Sequence, residues 1–120
     1  MYIPYEIDEL AELTATGIMG WTLDKEYGFW ETGDGDLDVE SEWNPATVEK
    51  DAEMLVHKIA NDKNMKLTLT LHNTVPNMTQ AIFSPFDIKQ SNNKQFDAYD
   101  TNPYRAMCLA ALKVYGLKLG

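Results

Sequence analysis

Carboxylates are the side chains of this chain best able to do chemistry, and they crowd into one segment. Glu31-Thr-Gly-Asp34-Gly-Asp36-Leu-Asp38-Val-Glu40-Ser-Glu42 carries six acids and no cation. Asp34-x-Asp36-x-Asp38 matches the opening of an EF-hand loop, where alternate carboxylates converge on a hard cation. The match then breaks, because the glycine of the sharp turn is replaced by Val39 and the closing bidentate glutamate by Pro45. Asp34, Asp36 and Asp38 are therefore the only candidate ligands, and no metal site is expected. Extended backbone would give the same residues another use. Alternate residues of a strand lie about 6.6 Å apart on one face, close to the phosphate spacing along one strand of DNA. Asp34, Asp36, Asp38, Glu40 and Glu42 keep that register, with Leu37, Val39 and Trp43 on the other side. Such a segment can mimic a nucleic acid toward a basic protein, or simply form a solvated acidic surface.

Charge along the whole chain favours the same region. Residues 1–53 hold 15 acids and 2 bases, a net of −13, whereas residues 54–120 hold 4 acids and 8 bases, a net of +4. Direct binding to nucleic acid through phosphate contacts needs Lys and Arg, so the acidic half points instead to a partner protein with a basic surface. Aromatic residues surround the segment: Trp21, Tyr27, Phe29, Trp30 and Trp43. They can anchor a long loop to the core, or form an exposed hot spot rimmed by carboxylates that suits an Arg-rich partner. The candidate partner-binding set is Glu31, Asp34, Asp36, Asp38, Glu40, Glu42, Trp30 and Trp43.

Other chemistry is sparse. His57 and His72 belong to no His-x-x-x-His motif, and Cys108 is the single cysteine, so zinc spacing and an internal disulfide are both absent. Gly33-Asp34-Gly35 places an acid where a phosphate loop needs open backbone. No nucleophile elbow or dinucleotide fingerprint occurs. Asp24, Glu26 and Glu31 could be gathered into a catalytic pair only by folding. No catalytic residue and no cofactor are expected.

The elements that must position these residues follow from periodicity and breakers. A first helix is predicted from about Pro4 to Trp21, with Ile7, Leu10, Ala11, Thr14, Ile18 and Trp21 on one side. Residues 22–44 read as a long irregular stretch with a short strand near Tyr27–Glu31. A second helix is predicted from about Pro45 to Ala60, with Asn44 as N-cap and Pro45 at the first helical position. Met65–His72 alternates Leu and Thr and reads as a strand, followed by a turn at Asn73–Asn77 and a strand at Met78–Ser84. Gln95–Tyr99 is a third strand after the Gln90–Lys94 turn. The last helix is capped by Thr101 or Asn102, has Pro103 at its first position, and stops at Gly116. Length and composition fit one domain over residues 1–120. The N-terminal residues have no signal-peptide pattern. No apolar run is long enough to span a membrane.

Trp43-Asn-Pro45-Ala-Thr47 opening a helix, a β-hairpin, and Asn102-Pro103-Tyr-Arg-Ala106-Met-Cys108-Leu-Ala110-Ala111 closing the chain resemble the phage ABA sandwich family of small phage and prophage proteins. The likeness covers about residues 5–20 and 43–117. Ala46 and Val48 stand where that family has Ser and Asp, so any shared polar site there is lost. The acidic stretch is not part of the pattern. The resemblance implies a phage or prophage accessory protein, without established biochemical function, in the cytoplasm of a bacterial host. Together these observations predict an α+β fold, a small antiparallel sheet sandwiched between helices in α-β-α layers. They predict non-enzymatic binding to a basic surface of a host or phage protein, possible targets being nucleic-acid-binding or defence proteins. The alternatives are a divalent-cation-binding or hydrolytic protein using the Asp34–Glu42 carboxylates, and a homo-oligomeric structural component.

Overall fold

A computed structural model describes residues 9–24, 29–31, 36–38, 43–86 and 94–119. In chain order the elements are helix α1 (Glu9–Leu13), continued by a π-helical turn (Thr14–Ile18), then strands β1 (Thr22–Asp24), β2 (Phe29–Glu31) and β3 (Asp36–Asp38). Helix α2 (Glu49–Lys63), strands β4 (Met65–His72), β5 (Met78–Pro85) and β6 (Phe96–Asp100), and helix α3 (Pro103–Val114) complete it. The class is α+β, as the sequence implies. Two antiparallel sheets form, β1-β2-β3 and β4-β5-β6, each in chain order.

Period-two alternation sets the larger sheet. Leu67, Leu69 and Leu71 lie opposite Phe83, Ala81 and Thr79, and Phe83 and Ala81 lie opposite Phe96 and Ala98. Phe83, Ala81, Thr79 and Ala98 are buried, so this face meets the helices. Leu10, Ile18, Leu55, Ile59, Met107 and Leu112 share a single core with it. Among the described residues, all three helices therefore lie toward one face of β4-β5-β6. The layers run from this sheet through α2 and α3 to α1 and then to the small sheet. The larger antiparallel sheet and the helices packed on it make the predicted α+β fold, with the small sheet added beyond α1.

Helix α3 touches both other helices and all three strands of the larger sheet. Ala106, Met107, Cys108, Ala110, Ala111 and Leu112 are all buried. Small residues let the sheet and the other helices approach its backbone from several sides. Asn102 starts it as predicted: its Oδ1 accepts from the Tyr104 and Arg105 amides at 2.9 and 3.3 Å, and its Nδ2 donates to the Ala46 carbonyl at 3.0 Å. One side chain thus caps α3 and ties it to the approach to α2. Gly116 stops the helix with φ +69°. The Gly116 amide reaches the Lys113 carbonyl and the Leu117 amide reaches that of Leu112, the paired bonds of a Schellman ending.

Two predicted boundaries shift. Pro45–Thr47 forms a turn, closed by the Thr47 and Val48 amides on the Asn44 carbonyl at 3.1 and 2.8 Å. Helix α2 therefore begins at Glu49 with Val48 as its N-cap, which makes no side-chain cap bond. Asn44 does not act as the cap: its amide donates to the buried Asp51 carboxylate at 2.8 Å, and its own Oδ1 has no partner among the described residues. The first helix is α-helical only to Leu13. The Met19 amide then reaches back to Thr14 at 2.9 Å and that of Trp21 to Ala15 at 3.0 Å, which widens the turn. Gly17 lies in this turn against the Leu117 side chain, where a β-carbon would collide. The predicted start at Pro4 lies outside the described residues.

At the far end of α2, the Tyr115 hydroxyl donates to Asp62 at 3.1 Å, Lys58 pairs with Asp62 at 3.3 Å, and the Lys63 ammonium sits 5.0 Å from the Tyr115 ring centre. Burial, then the hydrogen bond and charge of Asp62, push the Tyr115 phenol up to about 12. Its neutral form is favoured in the folded protein, so this contribution to stability is complete below pH ~10 and is lost as pH rises toward 12. Tyr115 is expected to titrate late in ultraviolet absorbance, and Asp62→Ala to bring it earlier. An unchanged Tyr115 titration in that variant would remove Asp62 as a cause. At the other end, Asn102→Ala is expected to cost about 1–2 kcal/mol in urea unfolding. Asn102→Asp, which keeps the cap but loses the Ala46 bond, should fall in between. Equal losses for the two variants would mean that the cap contributes nothing.

Candidate functional site

Within the irregular stretch predicted for residues 22–44, the described residues include three short strands, β1, β2 and β3. Register places Glu31 opposite Thr22 and Asp36, and Phe29 opposite Asp24 and Asp38. The other three positions, Leu23, Trp30 and Leu37, pair with one another across the small sheet. Trp30 is buried and Glu31 exposed, which identifies the inner and outer faces. In the backbone register, positions 24, 31, 36 and 38 alternate with 23, 30 and 37, and of these acidic positions Glu31 is exposed.

The sequence makes only part of this arrangement visible. Alternation predicts that Asp36 and Asp38 share a side. It does not show that strand pairing adds Asp24 and Glu31, because three-residue strands leave too short a pattern to read. Glu31 and Asp36 are directly opposed like charges, an arrangement that destabilises a strand pair, and the three strands contain no cation. A cation or a basic surface brought to this face would relieve that repulsion. Asp34, Glu40 and Glu42 lie outside the described residues. So does the continuous alternating run from Asp34 to Glu42. Among the described residues no group of three or more His, Cys, Asp or Glu is placed to hold a metal ion.

The tryptophans play the anchoring part of their two predicted roles. Trp21, Trp30 and Trp43 are 9%, 1% and 3% exposed and form a second core with Ala11 and Ala15 of the first helix. Trp21 and Trp43 meet edge to face, with centroids 4.7 Å apart and planes at 69°. The Trp43 indole N–H donates to Thr14 Oγ1 at 3.1 Å, and the Thr14 hydroxyl faces the Leu10 and Ala11 carbonyls at 2.9 and 3.0 Å. Trp30 and Trp43 thus leave the candidate contact surface, since rings this deeply buried touch no partner. They hold the acidic sheet against α1 instead.

The remaining candidates are dispersed. Cys108 is buried within α3. His57 is exposed beside a groove of about 310 Å³ between α2 and β4, floored by Ala52, Val56, Leu67, Tyr104 and Met107. His72 Nε2 lies 2.9 Å from Gln80 Oε1, and Gln80 Nε2 donates to Asp97 at 2.8 Å, a row across the sheet face away from the helices. A second groove of about 730 Å³ runs between β6 and the segment after α3, along Phe96, Ala98, Leu112, Leu117 and Leu119. Neither groove was legible from sequence, where Leu67, Leu69 and Leu71 look like an ordinary buried stripe. Leu69 and Leu71 are in fact 47% and 63% exposed.

The described residues define an α+β fold whose small sheet has acids at four positions of its register. No protein-family model, curated protein or solved structure matches the chain. Among the described residues no helix is long and apolar enough to cross a membrane.

The Thr14–Trp43 bond supplies a direct test of the anchor. Thr14→Val leaves a buried indole N–H unpaired and is expected to cost about 1–3 kcal/mol in chemical unfolding. Trp43→Phe should cost a similar amount or more, through lost packing. The double variant should lose less than the sum of the two. Strict additivity would mean that the bond carries no coupling energy.

Proposed function

We propose that this protein is a non-enzymatic binding module whose acidic N-terminal half docks on a basic protein surface. The observation that carries the reading is the backbone register of β1-β2-β3, which gathers Asp24, Glu31, Asp36 and Asp38 at neighbouring paired positions without a cation in the strands. The buried tryptophans support it, since they fix the backbone that presents those acids and so reduce the entropy lost on binding. The net of −13 over residues 1–53 would steer a cationic partner to this half. Resemblance to the phage ABA sandwich family rests on the residues Trp43–Thr47 and Asn102–Ala111. It favours an accessory protein of a phage or prophage, with a host or phage protein as target. A protein that itself binds nucleic acid, a defence nuclease for example, has the kind of basic surface this face would fit.

The test is a pull-down from nuclease-treated bacterial lysate. Wild type is compared with a variant in which Asp24, Glu31, Asp34, Asp36, Asp38, Glu40 and Glu42 become Asn or Gln. A basic protein is expected with the wild type alone, released by moderate salt. Equal capture by both proteins would sink the acidic-face reading.

A further inference from the structure

Strand β4 is an edge strand whose one charged protecting residue, Lys66, lies near its start. It runs eight residues, Met65–His72, with no Pro, Gly or acid, and pairs one-to-one with β5 without a bulge. Edge strands of monomers are ordinarily blunted by such devices, because bare backbone groups invite another strand. The direction of those groups can be read here. The Phe86 amide bonds to the Asn64 carbonyl at 3.1 Å, and these two residues lie opposite each other in the β4–β5 register. Antiparallel pairing alternates, so Lys66, Thr68, Thr70 and His72 turn their backbone groups toward β5. Met65, Leu67, Leu69 and Leu71 turn theirs outward, and among the described residues no strand pairs with that side.

The outward residues also carry the exposed apolar surface. Leu69 and Leu71 are among the most exposed large hydrophobics of the described residues, and Leu67 and Leu69 line the open groove beneath α2. What fits this edge is written in the strand itself. Lys66-Leu-Thr-Leu69-Thr-Leu-His72 reads the same chemically in both directions about Leu69: base, Leu, Thr, Leu, Thr, Leu, base. A two-fold interface requires a patch complementary to itself. The strand is also free of the acids that give the chain its net charge of −9, which would otherwise oppose contact between copies.

We propose that β4 pairs with β4 of a second copy, antiparallel and centred on Leu69, joining two three-stranded sheets into one of six. In that register Leu69 meets its own counterpart and Leu67 meets Leu71 of the other copy. These are the residues with outward backbone groups, and they form about six new hydrogen bonds. Leu71 of the second copy then stands beside Leu67, on the face where the groove lies, and covers it. Thr68 lies opposite Thr70 of the other copy as a non-hydrogen-bonded pair, with α-carbons about 4.5 Å apart.

Light scattering of the full chain over a concentration series tests the pairing. Twice the chain mass is expected for wild type. Leu69→Pro removes an outward N–H and spares the β5 ladder, and Leu69→Lys places a charge in the seam. Both are expected to scatter at the mass of one chain, with wild-type circular dichroism. A monomeric wild type, or a dimer unaffected by both folded variants, overturns the proposal. Register is tested independently with Thr68→Cys and Thr70→Cys. Under mild oxidation their mixture is expected to form a covalent dimer that neither forms alone, while buried Cys108 stays out of reach. Cross-linking of either variant alone, without the mixed product, overturns this register, and the mixture decides the matter should the Leu69 variants fail to fold.

Discussion

A helix that must be thin governs this structure. Helix α3 lies between the β4-β5-β6 sheet and helix α1, and its buried positions are largely Ala106, Cys108, Ala110 and Ala111. Bulkier residues there would push the layers apart, and the core would lose the close packing that interiors need. Most of the larger side chains are supplied by the neighbours, Phe83 from the sheet, Leu55 and Ile59 from α2, and Leu10 from α1, with Met107 and Leu112 added by α3 itself. The ends of α3 carry the orienting bonds. Asn102 fixes it to the Ala46 carbonyl, and the reversal at Gly116 sends Leu117 back against Gly17. A side chain at Gly17 would have to push the Leu117 side chain aside, so the wide turn of the first helix and the ending of the last meet at this point.

This dependence explains which parts of the fold were legible in the sequence. Strands β4 to β6 and helix α3 are specified locally: alternation in Met65–His72, breakers at Asn73–Asn77, and Asn102-Pro103 at the helix start act within a few residues. The start of α2 is decided at longer range. Pro45 and Ala46 are buried and Asn102 binds the Ala46 carbonyl, so those residues are held in a turn although Asn44-Pro45 is a good helix opening in isolation. The π-helical turn is equally nonlocal, since Thr14 bridges the first helix to Trp43, 29 residues away. The place of the small sheet beyond α1 was illegible for a related reason: an apolar stripe shows that a helix is covered, but not by which layer.

The candidate surface divides along the same line. That acids cluster between Glu31 and Glu42 is plain from composition, and so is the presence of aromatics beside them. Whether those rings face a partner or the core depends on what lies beneath, and Ala11 and Ala15 make room for them there. The small sheet is a weak unit by itself, with strands of three residues and the like-charged Glu31 and Asp36 directly paired. Its order derives from the tryptophan cluster on its inner face. A charged surface that repels itself is thus held in shape by an apolar anchor, and the two properties of this segment, acidity and aromaticity, have separate mechanical tasks.

Charge segregation and layer order also determine how the two proposed surfaces relate. The acidic face belongs to residues 22–38 and lies beyond α1, on the far side of the helices from the larger sheet. Strand β4 belongs to the half of the chain with a net of +4. An edge-paired dimer therefore brings together the least acidic parts of two acidic chains; both helical layers then lie on one face of the joined sheet, and the acidic faces stand side by side beyond them, where screening over about 8–10 Å weakens their repulsion. The same geometry leaves both acidic faces uncovered. Self-association through β4 does not compete with a basic partner at β1-β2-β3. It doubles the number of faces offered, and a partner presenting two basic patches, such as a symmetric nucleic-acid-binding dimer, would gain from the second contact once the first had formed.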